Sequence, residues 1–130
     1  MELKQGDIVL YEPPTVSQSE QGALLTQSGH EQAGLRPYIV VSRDLVNKNK
    51  PTVVGVPLST KTDKANSYRI QLPNEELIAD VGCTPFKDSV ALCDHVRVLD
   101  TSRLKKKIGK LSANAIAAVG LGLANVFDIR

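Results

Sequence analysis

Three short polar clusters interrupt an otherwise structural sequence, and each holds residue types that can bind a phosphate group. The first is Gly29–Pro37, in which Gly34 permits an unusual backbone conformation and Pro37 holds Arg36 in an extended one. A guanidinium has a permanent charge and a planar fork of donors, which suits an oxyanion or a phosphate. For a single arginine, a weak surface pair with a carboxylate is the alternative.

The second cluster is Pro57–Thr62, at the exit of the most apolar predicted strand. The hydroxyls of Ser59 and Thr60 can donate to a phosphoryl oxygen, and Lys61 adds positive charge. Serine and threonine are also ordinary turn residues, so this segment alone decides nothing. The third cluster, Ser102–Lys110, holds one arginine and four lysines without an acid. It fits either a nucleic-acid-binding strip or a solvated charged turn.

Only two histidines titrate near neutrality in this sequence. His30 lies in the first cluster and could act as an acid–base group, whereas His95 interrupts a predicted strand, where a structural hydrogen bond is the simpler interpretation. Cys83 and Cys93 lie outside any CxxC motif, so we expect free thiols and no metal site.

Length and composition set the frame for these clusters. A chain of 130 residues predicts one domain, 1–130, around a single core. The net charge of +2 argues neither for nor against a polyanionic partner, and five aromatic residues are few for recognition by stacked bases. The start lacks an apolar leader and no apolar run is long enough to span a membrane, so we expect a cytoplasmic protein without membrane partners.

Short apolar or alternating runs predict a mainly β protein with a small, strongly bent antiparallel sheet or barrel. A long polar connection, Glu12–Leu35, follows the first strand, and one turn of helix is expected at Glu75–Ile78. The predicted strands are Asp7–Tyr11, Tyr38–Ser42, Thr52–Leu58, Ser67–Leu72, a broken Ser89–Cys93 with Val96–Leu99, and Lys107–Leu111.

A C-terminal helix is predicted to begin after the N-cap Ser112 and to run to about Phe127. Its apolar surface wraps most of the way round, so it should be buried on more than one side, either within the chain or against another subunit. Seven residues share one face of this helix, namely Ala113, Ile116, Ala117, Gly120, Leu123, Ala124 and Phe127, whereas Val119 and Leu121 lie off that face.

In this order the clusters resemble the MazF/PemK family of toxins from type II toxin–antitoxin systems. The similarity covers almost the whole chain, and its most specific part is Glu31–Pro37 followed by Val56–Thr60. The other matching segments are Gly6–Val9, Asp88–Cys93, Leu99–Leu104 and Ile108–Ser112 with the helix.

The resemblance implies an SH3-like barrel of the CcdB/PemK type with a C-terminal helix, a homodimer, and an endoribonuclease that needs no metal or other cofactor. Such enzymes cut single-stranded RNA into products with a 2′,3′-cyclic phosphate and a 5′-hydroxyl, and an antitoxin with an acidic segment inhibits them. The family's catalytic arginine falls on Arg36, its catalytic hydroxyl on Ser59, and a supporting acid on Glu31.

The same resemblance makes five further residues candidates for RNA binding. They are His30, Gln32, Thr60, Lys61 and His95. The sequence departs from the family pattern in a longer first loop, in His30 where serine is common, and in His95 where glutamine is frequent.

Because the RNA supplies its own 2′-OH as nucleophile, the protein must supply geometry and charge stabilisation. Glu31 and His30 are the candidates for the base.

Two other functions remain open from the sequence. One is a CcdB-like toxin that binds gyrase and performs no chemistry, although such a protein has no need of Arg36 with Ser59. The other is an inactive module of the same fold that binds RNA or a partner protein. Loss of turnover in Arg36→Ala would separate both from a nuclease.

Overall fold

A computed structural model describes residues 2–13, 34–48 and 50–129. Within these ranges the protein is mainly β, with one long helix at the C-terminus. The strands are β1 (Asp7–Tyr11), β2 (Arg36–Val40), β3 (Thr52–Ser59), β4 (Arg69–Leu72), β5 (Leu77–Ala79), β6 (Ser89–Leu92), β7 (Arg97–Asp100) and β8 (Leu104–Leu111).

Two α-helices and four 3-10 turns complete the described structure. Helix α1 (Asp44–Lys48) is a short connection that the sequence did not predict, and α2 (Ala113–Phe127) is the expected C-terminal helix. The 3-10 turns are Thr62–Lys64, Asn74–Glu76, Cys93–His95 and Thr101–Arg103.

The strands form one antiparallel sheet in the order β4-β6-β3-β2-β1-β8-β5, and β7 pairs with β3 off this path. Strand β3 bends the sheet, because its first half pairs with β7 and its last two residues, Leu58 and Ser59, pair with β6. Two irregularities in the β1–β8 register add further twist. The sheet therefore curls into a half-barrel, which confirms the predicted bent antiparallel fold with its C-terminal helix.

Alternation along the strands gives the sheet two apolar faces. The outer face packs against α2, and its buried residues include Ile8, Ile39, Val56, Leu72 and Val119. The inner face lies inside the curl and is buried by a second, separate cluster. That cluster comprises Leu3, Val9, Tyr11, Tyr38, Val40, Val53, Leu99 and Leu104.

Helix α2 begins as predicted, because the Ser112 Oγ accepts a hydrogen bond from the Ala115 amide at 3.1 Å and donates one to Glu76 Oε2 at 3.0 Å. The predicted apolar face of this helix is only partly buried: Ile116 and Leu123 pack against the core, whereas Phe127 is 58% exposed. The fully buried residues of the helix, Ala115, Val119 and Gly122, are outside the predicted set. Gly122 determines the orientation, since the helix approaches β4 and the Cys93–His95 turn there so closely that a methyl group would contact Ile70 and Cys93.

Three other predictions need correction. Strand β2 starts at Arg36, two residues before the predicted start, so Arg36 belongs to the strand itself. Asn74–Glu76 is a 3-10 turn followed directly by β5, where a helical turn extending to Ile78 was expected. The basic segment forms a 3-10 turn and strand β8, so it is not a charged turn.

Both thiols are free, as predicted. Cys93 is buried but opens a 3-10 turn instead of lying inside a strand, and its Sγ lies 3.7 Å from the Val119 carbonyl oxygen. Burial, with a smaller contribution from Asp94, raises the pKa of the Cys93 thiol to about 11. The thiol is therefore protonated at neutral pH and acts as a small apolar side chain of the core.

Candidate functional site

Arg36 and Ser59 stand at the same end of two neighbouring antiparallel strands. Arg36 is the first residue of β2 and Ser59 is the last residue of β3. In the ladder between these strands Tyr38 pairs with Pro57 and Ile39 pairs with Val56. The ladder ends at the Tyr38–Pro57 pair, because Leu58 and Ser59 pair with β6 instead, so Arg36 and Ser59 each lie two residues beyond the last pair, at the same end of the two strands.

The alternation of side chains puts both residues on the inner face of the sheet. Arg36 also pairs with Tyr11 of β1, and Tyr11 belongs to the inner apolar cluster. Arg36 and Ser59 are each half-buried. The fold thus carries two residues that are 23 positions apart in the sequence to the same end of neighbouring strands.

The Ser59 hydroxyl has a defined local role. Its Oγ accepts a hydrogen bond from the Lys61 amide at 3.1 Å, which turns the chain sharply after β3. The bond uses an acceptor lone pair and leaves the O–H able to donate to a ligand. Thr60 and Lys61 are exposed immediately beyond this turn.

Ser59 and Thr60 also line a groove of about 350 Å³. Leu10, Leu58 and Ile108 contribute apolar surface, and the loop Thr84–Lys87 adds the apolar Pro85 and Phe86 together with the polar Thr84 and Lys87. Sequence reasoning missed this loop, because it lies far along the chain from the three polar clusters. The remaining lining residues are Pro37 and Ser89.

A stacked pair of tyrosines supports the rim from inside the curl. The Tyr11 and Tyr38 rings meet edge to face, with 5.4 Å between their centroids and 74° between their planes. Above Tyr11 lies the guanidinium of Arg97, whose Cζ is 5.7 Å from the ring centroid. Arg97 was not predicted as a site residue. It lies two residues before the buried Leu99 on the same strand, and this spacing places both side chains on the inner face.

His95 belongs to a second polar cluster. This cluster lies beside β4, the strand that neighbours β6 at the edge of the sheet. Arg69 binds Asp94 through two hydrogen bonds, at 2.8 and 3.0 Å, and its Nη2 is 3.3 Å from His95 Nε2. The hydrogen bond with Asp94 raises the pKa of Arg69 and lowers the pKa of Asp94, so the pair stays charged. The side chain of His95 is 55% exposed.

The remaining predicted site residues, His30, Glu31 and Gln32, lie outside the described residues. In the basic segment, Lys105 pairs with Glu12 at 3.5 Å and Lys107 pairs with Asp80 at 3.0 Å. Part of its charge is therefore neutralised within the fold.

In the described ranges no three histidine, cysteine or acidic side chains converge as a metal site would require. Nor does the described part of the chain contain a helix with the length and apolarity needed to cross a membrane.

The described residues form a small β protein with a curled antiparallel sheet and a C-terminal helix, with an arginine and a hydroxyl at the same end of two neighbouring strands. A family model described as PemK-like, MazF-like toxin of type II toxin–antitoxin system matches residues 4–127. This chain belongs to that family, which confirms the resemblance seen in the sequence.

Individual relatives agree with this assignment. An endoribonuclease MazF from Staphylococcus saprophyticus is 31% identical over 127 residues, covering 98% of this chain and 89% of that relative. Among solved structures, MazE–MazF from Deinococcus radiodurans shares the fold with a TM-score of 0.70 at 23% identity, covering 100% of this chain and 99% of that one. Mycobacterium tuberculosis toxin MazF-mt6 gives 0.67 at 17% identity, with 95% and 98% covered.

Proposed function

We propose that this toxin cuts single-stranded RNA, including mRNA, in the cytoplasm at short sequences, with Arg36 and Ser59 as its catalytic residues. The observation that supports the proposal is the β2–β3 ladder, whose last pair, Tyr38 with Pro57, leaves Arg36 and Ser59 two residues beyond it at the same end of both strands. The 31% identity to a protein named endoribonuclease MazF supports the same reaction.

The chemistry follows from the residue types. The 2′-OH of the RNA attacks the adjacent phosphorus, the bond to the 5′-oxygen breaks, and the products carry a 2′,3′-cyclic phosphate and a 5′-hydroxyl. The Arg36 guanidinium stabilises the negative charge that develops on the phosphorane, and the Ser59 hydroxyl donates to one of its oxygens. A guanidinium is a poor proton acceptor, so the 2′-OH proton goes to Glu31 or His30, and the departing 5′-oxygen takes up a proton from water to become the 5′-hydroxyl.

The RNA chain occupies the rim on either side of this pair. Thr60 and Lys61 lie next to Ser59 and contact the RNA backbone, and His95 extends the contact beyond β6. Gln32 and His30 contribute from the first loop. No metal ion takes part in this scheme, because the nucleophile is already present in the substrate.

Two protein partners belong to the proposal. The Deinococcus radiodurans structure pairs a MazF with MazE, which supports a cognate antitoxin for this chain as well. An acidic antitoxin segment laid over the positively charged rim would exclude RNA. Three apolar side chains on α2 or just after it are exposed, namely Leu121, Phe127 and Ile129. A second copy of the chain covers them and so forms a homodimer.

The test of the activity is incubation of the purified protein with a long single-stranded RNA in EDTA, with primer extension to map the ends. We expect discrete cuts that leave 5′-hydroxyl ends and that disappear in Arg36→Ala. The matched control is Arg43→Ala, which removes an exposed arginine just before α1 and should cut like the wild type. Intact RNA across diverse sequences would refute the nuclease and favour a gyrase-binding toxin or an inactive module.

The homodimer has its own test. Leu121 is 68% exposed on α2, so Leu121→Asp should give a monomer or an insoluble chain in sedimentation experiments. Val81→Asp is the control, because Val81 is fully exposed on a distant loop. A soluble Leu121→Asp dimer of unchanged size would show that this part of α2 is not the interface.

A further inference from the structure

We propose that Arg97 binds a second phosphate of the RNA, next to the phosphate held between Arg36 and Ser59. The proposal rests on the RNA-cleaving function above and adds a binding residue outside the family motifs quoted for the catalytic pair. Its role is to fix the RNA chain relative to the reacting phosphate, which favours in-line attack.

The strand register places Arg97 on the inner face of the sheet. In the ladder between β3 and β7, Arg97 pairs with Gly55 and Leu99 pairs with Val53. Leu99 and Val53 are buried in the inner cluster, so Arg97 points to the same side from the end of β7. Arg97 itself is exposed, which leaves its donors accessible at the rim.

The Arg97 side chain reaches along this face towards the catalytic pair. Its Cζ lies 5.7 Å from the centroid of the Tyr11 ring, and Tyr11 is the direct cross-strand partner of Arg36. Both arginines are therefore neighbours of Tyr11, Arg36 as its cross-strand partner and Arg97 through its ring. Two cations beside one residue of the rim provide two points at which the phosphates of a single RNA strand can bind.

The packing beneath Arg97 holds it in this position. Tyr11 is 2% exposed and is fixed edge to face against Tyr38. Gly55 makes room for this packing, because a methyl group there would collide with Leu99 and press on Tyr38. A guanidinium stacked on a buried, immobile ring loses little further freedom when it binds an anion.

The local charge also favours an anionic ligand. Arg97 has no carboxylate partner in residues 2–13, 34–48 and 50–129, in contrast to Arg69, which binds Asp94. The nearby acid Glu12 pairs with Lys105 at 3.5 Å. A cation that the described fold leaves unneutralised at the rim contributes its full charge to the binding of a phosphate.

The experiment measures binding of an RNA oligonucleotide that carries a 2′-deoxy sugar at the mapped cleavage position and so cannot be cut. We expect Arg97→Gln to raise the Kd about tenfold, the effect of losing one charge-assisted contact. The slope of log Kd against log salt should fall by about 0.7, the value for one phosphate contact on a single strand. Arg43→Gln removes the same charge far from the rim and should change neither quantity.

A scan with one methylphosphonate at a time then identifies the phosphate. The wild type should bind more weakly to the RNA that carries the methylphosphonate at the position contacted by Arg97. The affinity of Arg97→Gln should be unchanged by that one substitution, because the contact is already absent. This position must differ from the one at which Arg36→Ala is indifferent. Thermal unfolding of each variant shows that the fold is intact.

Two results would overturn the proposal. Arg97→Gln could bind with the Kd and salt slope of the Arg43→Gln control. Alternatively, it could lose affinity while remaining sensitive at every methylphosphonate position, which would assign Arg97 a long-range charge effect only. A wild type that neither binds nor cuts RNA would refute the proposed function itself, and that outcome is recognisable before any variant is made.

Discussion

The two faces of the curled sheet both bury apolar side chains, but one face is covered by a helix and the other is open along one edge. The outer face is closed by α2, and its polar neighbours, such as Ser112 and Glu76, are used to cap that helix. The inner face stays open at one rim, where Arg36 and Arg97 lie beside the Tyr11 ring. Because side chains alternate along each strand, one strand can place every second residue in the core and the residues between them at the site.

Strand β1 illustrates this division. Ile8 faces α2, whereas Tyr11 faces the curl and supports the two arginines. Substitutions at the inner rim should therefore alter activity without altering stability. Substitutions on the outer face should do the reverse, and each prediction below tests one side of this contrast.

The largest effect is expected for Arg36→Ala. Removing a charge-stabilising donor should lower the single-turnover cleavage rate about 10²- to 10³-fold on an oligonucleotide with one mapped site. The thermal midpoint should stay close to that of the wild type, because Arg36 is a half-buried rim residue outside both apolar clusters. If the rate falls only in proportion to the folded fraction, then the separation of the two faces does not hold at this residue.

Ser59→Ala comes next. Loss of a hydrogen bond to a charged oxygen should lower kcat about tenfold to a hundredfold. Ser59→Thr is the matched control, since it keeps the hydroxyl and its β-branched side chain suits a strand end. Equal impairment of both variants would indicate that the site needs the shape of serine and not its hydroxyl, which would contradict the assigned role.

Two glycines on α2 test the outer face. A methyl group at Gly122 would lie 2.6 Å from Ile70 Cγ1 and 2.8 Å from Cys93 Sγ, whereas at Gly120 it would meet nothing within 4 Å. Gly122→Ala should therefore cost about 1–3 kcal/mol of unfolding free energy through overpacking. Gly120→Ala should gain up to about 1 kcal/mol from helix propensity.

Urea unfolding measures both glycine variants, and cleavage by the folded fraction should be unchanged in each. Stabilisation by both substitutions would show that α2 does not approach Ile70 and Cys93 as closely as described. A loss of kcat at full folding in Gly122→Ala would show that the helix side of the sheet also controls the chemistry.

The sequence was informative where the residue type alone carries the signal. The β-branched run of β3 and the N-cap Ser112 predicted their elements, and Arg36 and Ser59 stood out as phosphate-binding types. That these two lie at the same end of neighbouring strands could not be predicted from composition, because it depends on which strands become neighbours and in which register. Arg97 was missed for the same reason, since its role arises from a contact with Tyr11 on another strand.

The helix shows the complementary failure. Nearly every position of α2 is apolar, so periodicity identified Ile116 and Leu123 as core contacts but not the fully buried Val119. Close approach at Gly122, a property of the packed structure, decides that Val119 is buried while Phe127 is exposed.

The smallest effect concerns the Arg69–Asp94 pair, which is neither part of the apolar clusters nor opposite Ser59. The hydrogen bond from Arg69 lowers the pKa of Asp94 below its ordinary value of 3.8. A carboxylate whose pKa is lowered in the folded state stabilises the fold at pH values above its unfolded pKa. This stabilisation disappears as the pH falls through the folded pKa. Asp94→Asn should therefore lower the thermal midpoint slightly at pH 7, since the pair is partly exposed.

The difference in midpoint between wild type and Asp94→Asn should shrink steadily once the pH falls below the ordinary carboxylate range. Asp100→Asn is a control of the same kind, because the pKa of Asp100 is also lowered, in this case by the hydroxyl of Ser102. If the Asp94→Asn difference persists undiminished in acid, then the asparagine perturbs packing around the Cys93–His95 turn. The ion pair would in that case contribute nothing to the stability of the fold.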